Sequence, residues 1–479
     1  MPERVPPGSG RPAGPRLRWF FAAEAICLVG AGVAAWQGLV WVSLAFLVAP
    51  FQLGVLALLF RSDLALLAYF VALVPLTALE LVPHGYMRYM MYWGVLGLIV
   101  FLRATTSVDA PRRSAGHGHE TWGRVPLILL AVSVGLAYVN ARAHGWLSSY
   151  VSTYSVLATQ VLVFAWVVAT VPRSIGQLRQ IIYVASISYT VMCVAFPIVA
   201  SQVGLGSVGK TLTVGHAAVN LNAVGAHAAA FAAVAIGAAF DARRMITRAS
   251  LLVVVLLLVV VLVYTKSRGA WLGFGLAFVY MIARTRSYWL MLPAAAVLGV
   301  LLSTDVLHGA LVSRVEATSS DDPSFLGRLL LWRYALVVFK GNWLLGVGME
   351  NFRYVKHFFG YPFSLASSVR FNAHNLFLEF LADLGVAGTA CFLWLVGGAF
   401  VRVDRIVGKS RPTEYRWLAV GVNAGLVAFV AHGLFDCIIW QPGAFMLLGL
   451  LIGMCLCLHR LERSTGGGID SVSVSERGC

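Results

Sequence analysis

His374 stands between two amides, in Asn372-Ala373-His374-Asn375, directly ahead of the apolar run Leu376-Phe377-Leu378. An imidazole titrates near neutrality and can take a proton from a hydroxyl, so this histidine is the first candidate for a base. Asn372 or Asn375 can cap a helix that starts here, a structural role that His374 does not duplicate. Glu379 and Asp383 follow four residues apart, on one face of that helix. Acidic groups in an apolar run point to an interior polar site or to an arginine that they orient. A second segment, Thr265-Lys266-Ser267-Arg268-Gly269-Ala270-Trp271, separates two other apolar runs. Its cations either serve a function at the membrane edge or snorkel from a short turn. The planar fork of Arg268 suits a diphosphate, and Gly269 permits close approach of a backbone or ligand. His432 and Asp436, again four apart, read as a hydrogen-bonded supporting pair, since a metal needs more ligands.

Two other motifs favour plain readings. Gly204 to Thr211 fits the phosphate-binding pattern G-x-x-x-x-G-K-T. A working loop of that kind follows a sheet strand and opens a helix, whereas this one follows an apolar span. It reads as a Gly-rich connection in which Lys210 can meet an anionic group. His117-Gly118-His119-Glu120 has metal-ligand types but no partner cluster, and reads as a solvated loop.

The elements that carry these residues are membrane helices. The chain has 479 residues, 59% hydrophobic and 12% charged, against about a quarter charged in a soluble domain. Apolar runs of helix-spanning length recur from 19–36 to 441–459 and include 217–240, 270–283, 375–401 and 417–436. They are too long and too uniformly apolar for barrel strands, so an all-α polytopic bundle of about 12 to 14 helices is expected. The formal charge of +16 is spread over short loops between apolar runs, so no nucleic-acid partner is expected. The cysteines Cys27, Cys193, Cys391, Cys437, Cys455 and Cys457 lie in apolar runs and form no disulfide framework.

Lys and Arg in the short loops set the orientation. With the N-terminus inside, the short outside loops hold only Arg88, Arg142, Lys210, Lys266 and Arg268. Both termini are then inside, and the long polar interruption 304–372 is outside. Residues 1–18 and 464–479 read as disordered inside flanks of one transmembrane domain, 19–463. Within the interruption, Phe325 to Leu336 reads as an amphipathic helix. Asp321 or Asp322 is its cap and Pro323 its first residue. Its aromatic and basic residues suit the membrane interface. Gly346 to Phe352 reads as turns.

Several blocks together carry a family likeness: Ser267-Arg268-Gly269-Ala270-Trp271-Leu272-Gly273, Gly327-Arg328 to Trp332, Gly346-Val347-Gly348, and Ala373-His374-Asn375-Leu376-Phe377-Leu378-Glu379 with Leu384-Gly385-Val386-Ala387-Gly388. Across about 200–460 the chain resembles the O-antigen ligase and O-antigen polymerase superfamily. The resemblance implies a bacterial inner-membrane glycosyltransferase of the all-helical (GT-C-like) type with a periplasmic active site. It also implies a glycan donor on polyprenyl diphosphate and no metal or other cofactor. It makes His374 the catalytic residue and Arg268 a diphosphate contact, with Lys210 standing where relatives often carry an arginine before the segment Asn220-Leu221-Asn222. The chemistry of the residues adds Arg328 as a further phosphate clamp. Asn372, Asn375, Glu379 and Lys266 are expected in support. In-line attack on the anomeric carbon would invert it. The expected activity is ligation of a finished glycan onto lipid A–core. The alternatives are polymerisation of lipid-linked repeats of O-antigen or exopolysaccharide, a protein-directed variant, and transport of an anionic substrate. Membrane lipids are the remaining expected partners.

Overall fold

The computed structural model describes residues 63–77, 94–97, 99–100, 121–146, 148–202, 211–214, 217–288, 291, 323–360, 372–408 and 414–466. The expected flank 1–18, the spans before residue 63, the span expected at 288–303, the His117 loop and Lys210 lie outside the described residues or almost wholly so.

The described helices are α1 (Asp63–Thr77), α2 (Thr121–Ala143), α3 (Ser149–Thr170), α4 (Ile175–Gln202), α5 (Leu221–Asp241), α6 (Met245–Tyr264) and α7 (Arg268–Thr285). They continue with α8 (Pro323–Gly341), α9 (Phe352–Val355), which runs into a 3-10 turn at Lys356–Phe359, and then α10 (Leu376–Val407), α11 (Arg416–Gly433) and α12 (Pro442–Gly466). Seven of the described helices are long and apolar enough to cross a membrane, namely α2 to α6, α10 and α12. The chain is an all-α polytopic membrane protein, with one small strand pair among the described residues. A hairpin of β1 (Thr211–Val214) and β2 (Ala217–Asn220) pairs antiparallel, from Thr211 opposite Asn220 to Val214 opposite Ala217.

That hairpin corrects the span expected at 217–240. The helix starts only at Leu221, because Asn220 caps it, its side chain accepting from the Asn222 amide at 2.8 Å. Thr211 enters a strand rather than opening a helix, which removes the phosphate-loop geometry. The last helix corrects the tail. Ser464 is still helical, its hydroxyl donating to Leu461 O at 2.7 Å, and α12 runs to Gly466.

Close backbone approach organises the bundle. Where α5 crosses α11, a Cβ on Gly237 would lie 2.4 Å from Gly421 Cα, and one on Gly421 would lie 2.7 Å from Gly237 Cα. Between lipid-solvated helices this tight van der Waals contact does the work that water expulsion does elsewhere. Gly449 and Gly453 let α12 approach α3 in the same way, against the Val161 and Ala165 carbonyls. At the ends of α5 and α7 away from His374, Arg179 pairs with Asp241 at 2.6 Å and Arg284 with Asp404 at 2.8 Å.

α10 is broken at Gly385, whose backbone (φ 63, ψ −167) leaves the helical region. The segment after α8 fills the break. Val386 N donates to Trp343 O (2.8 Å) and Ala387 N to Leu344 O (3.3 Å). In return, Ala382 O accepts from Val347 N (3.0 Å) and Asp383 O from Gly348 N (2.8 Å). In hydrocarbon each orphaned group would cost on the order of several kcal/mol, so the break requires this strap. A second small core fastens the strap region. Leu331, Ala335 and Val338 of α8 pack with Val347, Phe352, Val355, Ala373 and Ala382.

Candidate functional site

The connections that lead into α3, α10 and α12 converge at one end of the bundle. Asn351 donates to Trp146 O at 3.0 Å and Asn140 to Gly346 O at 2.7 Å, joining the α2 end to the strap. Tyr154 of α3 donates to Trp440 O at 2.5 Å, joining it to the connection before α12. His374 sits among these connections at the mouth of α10.

Three polar neighbours of His374 have positioning roles. Asn375 caps α10, accepting from Phe377 N (3.0 Å) and Leu378 N (3.1 Å), while its amide donates to Leu434 O (2.9 Å). Asn372 is buried, accepting from His374 N (3.1 Å) and donating to Cys437 O (2.6 Å). Glu379 is fully buried and accepts the Ala373 amide at 2.5 Å. Together these three side chains hold His374 at φ 48, a left-handed backbone that non-glycine residues rarely adopt. Two more non-glycine residues at this end, Lys266 (φ 50) and Glu350 (φ 57), share that conformation.

The imidazole meets a carboxylate. His374 Nδ1 lies 2.7 Å from Asp436 Oδ1, and Asn222 at the start of α5 donates to Asp436 Oδ2 at 2.5 Å. The Asp436 side chain is 4% exposed and that of His374 24%. Burial alone would raise the Asp436 carboxyl. The charge and hydrogen bond of His374 outweigh it, with His432 and Arg328 adding, and hold the group well below the usual carboxylate range. An ionised Asp436 accepts Nδ1–H, which places the ring lone pair on Nε2. That is the arrangement of a base held in one tautomer and one orientation.

This geometry corrects the reading of His432 and Asp436 as a mutual pair. α11 ends at Gly433, so Asp436 lies in the connection beyond it rather than within a span ending at 436. The hydrogen bond between these two residues is backbone only, Asp436 N to His432 O at 3.1 Å. The carboxylate turns instead to His374 and Asn222. Among the described residues no group of three His, Cys, Asp or Glu side chains is placed to hold a metal.

The cations divide. Arg268 is the first residue of α7 and half-buried. Its neighbour Gly269 faces His432 and Phe435, and a Cβ there would lie 3.3 Å from the His432 ring. Arg268 thus enters beside the connection that carries Asp436. Arg328 is half-buried on α8 and near enough to Asp436 to stabilise its charge. Lys266 is exposed in the turn before α7.

Behind His374 lies a buried charge network that reading the chain did not assemble. Asp383 accepts the Glu350 (2.6 Å) and Phe352 (2.9 Å) amides. Glu350 pairs with Arg353 at 3.3 Å, and Arg353 stacks over Trp440 at 5.7 Å. Burial raises the Glu350 carboxyl and the Arg353 charge opposes that rise. Burial pushes the Lys356 ammonium down to about 8, against the attraction of Glu379. Glu379 and Asp383 therefore hold backbone around the site rather than facing an open polar chamber.

With this geometry in view, residues 252–393 match the family model described as O-antigen ligase. The match supports the superfamily that the sequence resembles. It takes in Arg268, Arg328, His374 and Glu379, and ends before Asp436. No curated protein matches the chain.

Proposed function

We propose that this protein transfers a glycan from polyprenyl diphosphate to an acceptor hydroxyl, as an O-antigen ligase acting on lipid A–core at the periplasmic face of a bacterial inner membrane. The observation that carries the reading is the His374–Asp436–Asn222 line of hydrogen bonds, at the bundle end where α7 begins with Arg268 and where Arg328 acts on the Asp436 charge. The family match over 252–393 supports the substrate class. The charge count of the loops supports the periplasmic side.

In this reading the Nε2 lone pair of His374 accepts the proton of the acceptor hydroxyl as its oxygen attacks the anomeric carbon. The bond from that carbon to the diphosphate oxygen breaks, and the carrier departs as polyprenyl diphosphate. In-line displacement inverts the anomeric centre. Arg268 and Arg328, joined by Lys210, neutralise charge growing on the leaving group, so the chain's own cations serve where a metal otherwise would. Asp436 stabilises the imidazolium that forms and Asn222 keeps the carboxylate aimed.

The test is reconstitution of purified protein with a lipid-linked glycan, with and without lipid A–core. One transfer onto core is expected, with a loss of about two to four orders of magnitude in His374→Gln. Full activity in that variant would remove the base assignment. Chain lengthening without core would make the protein a polymerase, and uptake without bond formation a transporter.

A further inference from the structure

We infer that the outward face of α8 is a docking surface for anionic phospholipid of the adjacent leaflet. The face is a continuous stripe. Leu326, Leu329, Arg333, Leu336 and Lys340 recur at alternating steps of three and four and are exposed, with Trp343 and Leu344 extending the stripe beyond the helix end. Leu326 is 50% and Trp343 58% exposed, whereas Leu331, Ala335 and Val338 on the opposite side are buried in the small core. Two cations set among leucines match a surface with negative headgroups over acyl chains. No ion pair joins Arg333 or Lys340 to a carboxylate among the described residues.

The second observation places this stripe against the bilayer. The Trp343 and Leu344 carbonyls accept from Val386 and Ala387. Val386 begins the exposed apolar line Val386, Leu393, Trp394 and Val401 of α10, a span by length and composition. The α8 stripe therefore runs into the exposed apolar face of a helix long and apolar enough to cross a membrane. Amphipathicity in the sequence indicates only an interfacial helix. The structure singles out which cations face outward, and it separates them from Arg328, which faces Asp436. The inference does not depend on the transfer reaction.

The test uses the full-length protein in nanodiscs of phosphatidylcholine containing about one third phosphatidylglycerol, a mixture that gives the negative surface such cations respond to. Retained lipid is read by native mass spectrometry. Wild type should hold phosphatidylglycerol in excess of its share in the disc, and Arg333→Gln/Lys340→Gln should lose that excess. Each juxtamembrane cation contributes roughly a five-fold preference, so the pair sets an upper bound of about thirty-fold. The single variants Arg333→Gln and Lys340→Gln give intermediate values and serve if the double variant is not recovered. Unchanged retention in the variants would overturn the inference. So would efficient disulfide cross-linking of two copies through Leu336→Cys, which would make the stripe a protein interface.

Discussion

His374 and Asp436 lie 62 residues apart in sequence and 2.7 Å apart in space. Asp436→Asn preserves size and tests this contact alone. The amide can donate to Nδ1 and so favours the wrong tautomer. The expected result is a fall in kcat of about two to four orders of magnitude, with KM for the lipid-linked donor little changed. Steady-state kinetics on the reconstituted enzyme checks it, and near-normal kcat would separate Asp436 from catalysis.

Glu379 acts through Ala373, one residue before the imidazole. Glu379→Gln keeps an acceptor for that amide and should retain most activity. Glu379→Ala leaves a buried N–H without a partner, at a cost of about 1–3 kcal/mol. It should lower kcat by about ten-fold or more without raising donor KM. Equal loss in both variants would point to a need for the charge instead.

At Gly385 an added Cβ would lie 2.4 Å from the Leu344 carbonyl, on a backbone at φ 63. Gly385→Ala should therefore cost more than about 2 kcal/mol and lower the melting temperature in detergent. Gly397, in the same helix, meets nothing within 4 Å. Gly397→Ala should be neutral or gain up to about 1 kcal/mol. Similar melting of the two variants would contradict the strap as a fixed partner of the break.

Lys356 supplies a pH test. Its ammonium titrates near 10.5 when unfolded and about 8 when folded, because burial disfavours the charge. Below pH 8 both states are charged and the full cost is present. Between these values the unfolded chain binds more protons, so stability rises with pH, and above them the cost is gone. Lys356→Met should stabilise at pH 7 by up to about 3 kcal/mol. That advantage should shrink between pH 8 and 10.5, as followed by denaturation at several pH values. A constant advantage would show that Lys356 does not titrate in this window.

His374 and Asn375 stood out in the sequence because they lie at the mouth of an apolar run, and Arg268 because it separates two, where a polar group must offset its desolvation. The helix from Pro323 was legible through its proline and its periodicity. Asp436 was visible as an acid near a span, but its partner was not, because i, i+4 spacing points to His432 while the helix ends too early for that pairing. Asn222 was visible only as part of the segment Asn220-Leu221-Asn222, in which Asn220 caps α5 and Asn222 turns to Asp436. The strap was hidden for a different reason. Backbone pairing between 343–348 and 382–387 leaves no side-chain pattern beyond Gly346 and Gly385, and glycines read as turns before they read as contacts.

The crossing of Gly237 with Gly421 has a reach beyond its own contact. α5 carries Asn222 at its far tip and α11 leads into Asp436, so the two helices, close again where a Cβ on Gly425 would lie 3.0 Å from Ala230 O, resemble the legs of a nearly closed pair of compasses pinned near one end. Asn222 lies about 22 Å along the leg from the pin. A methyl group forced in at the pin would turn into displacement at the tips, where the Asn222–Asp436 bond of 2.5 Å has no slack. The aim of the imidazole is therefore calibrated on the opposite side of the bundle, by two residues that have no side chain at all.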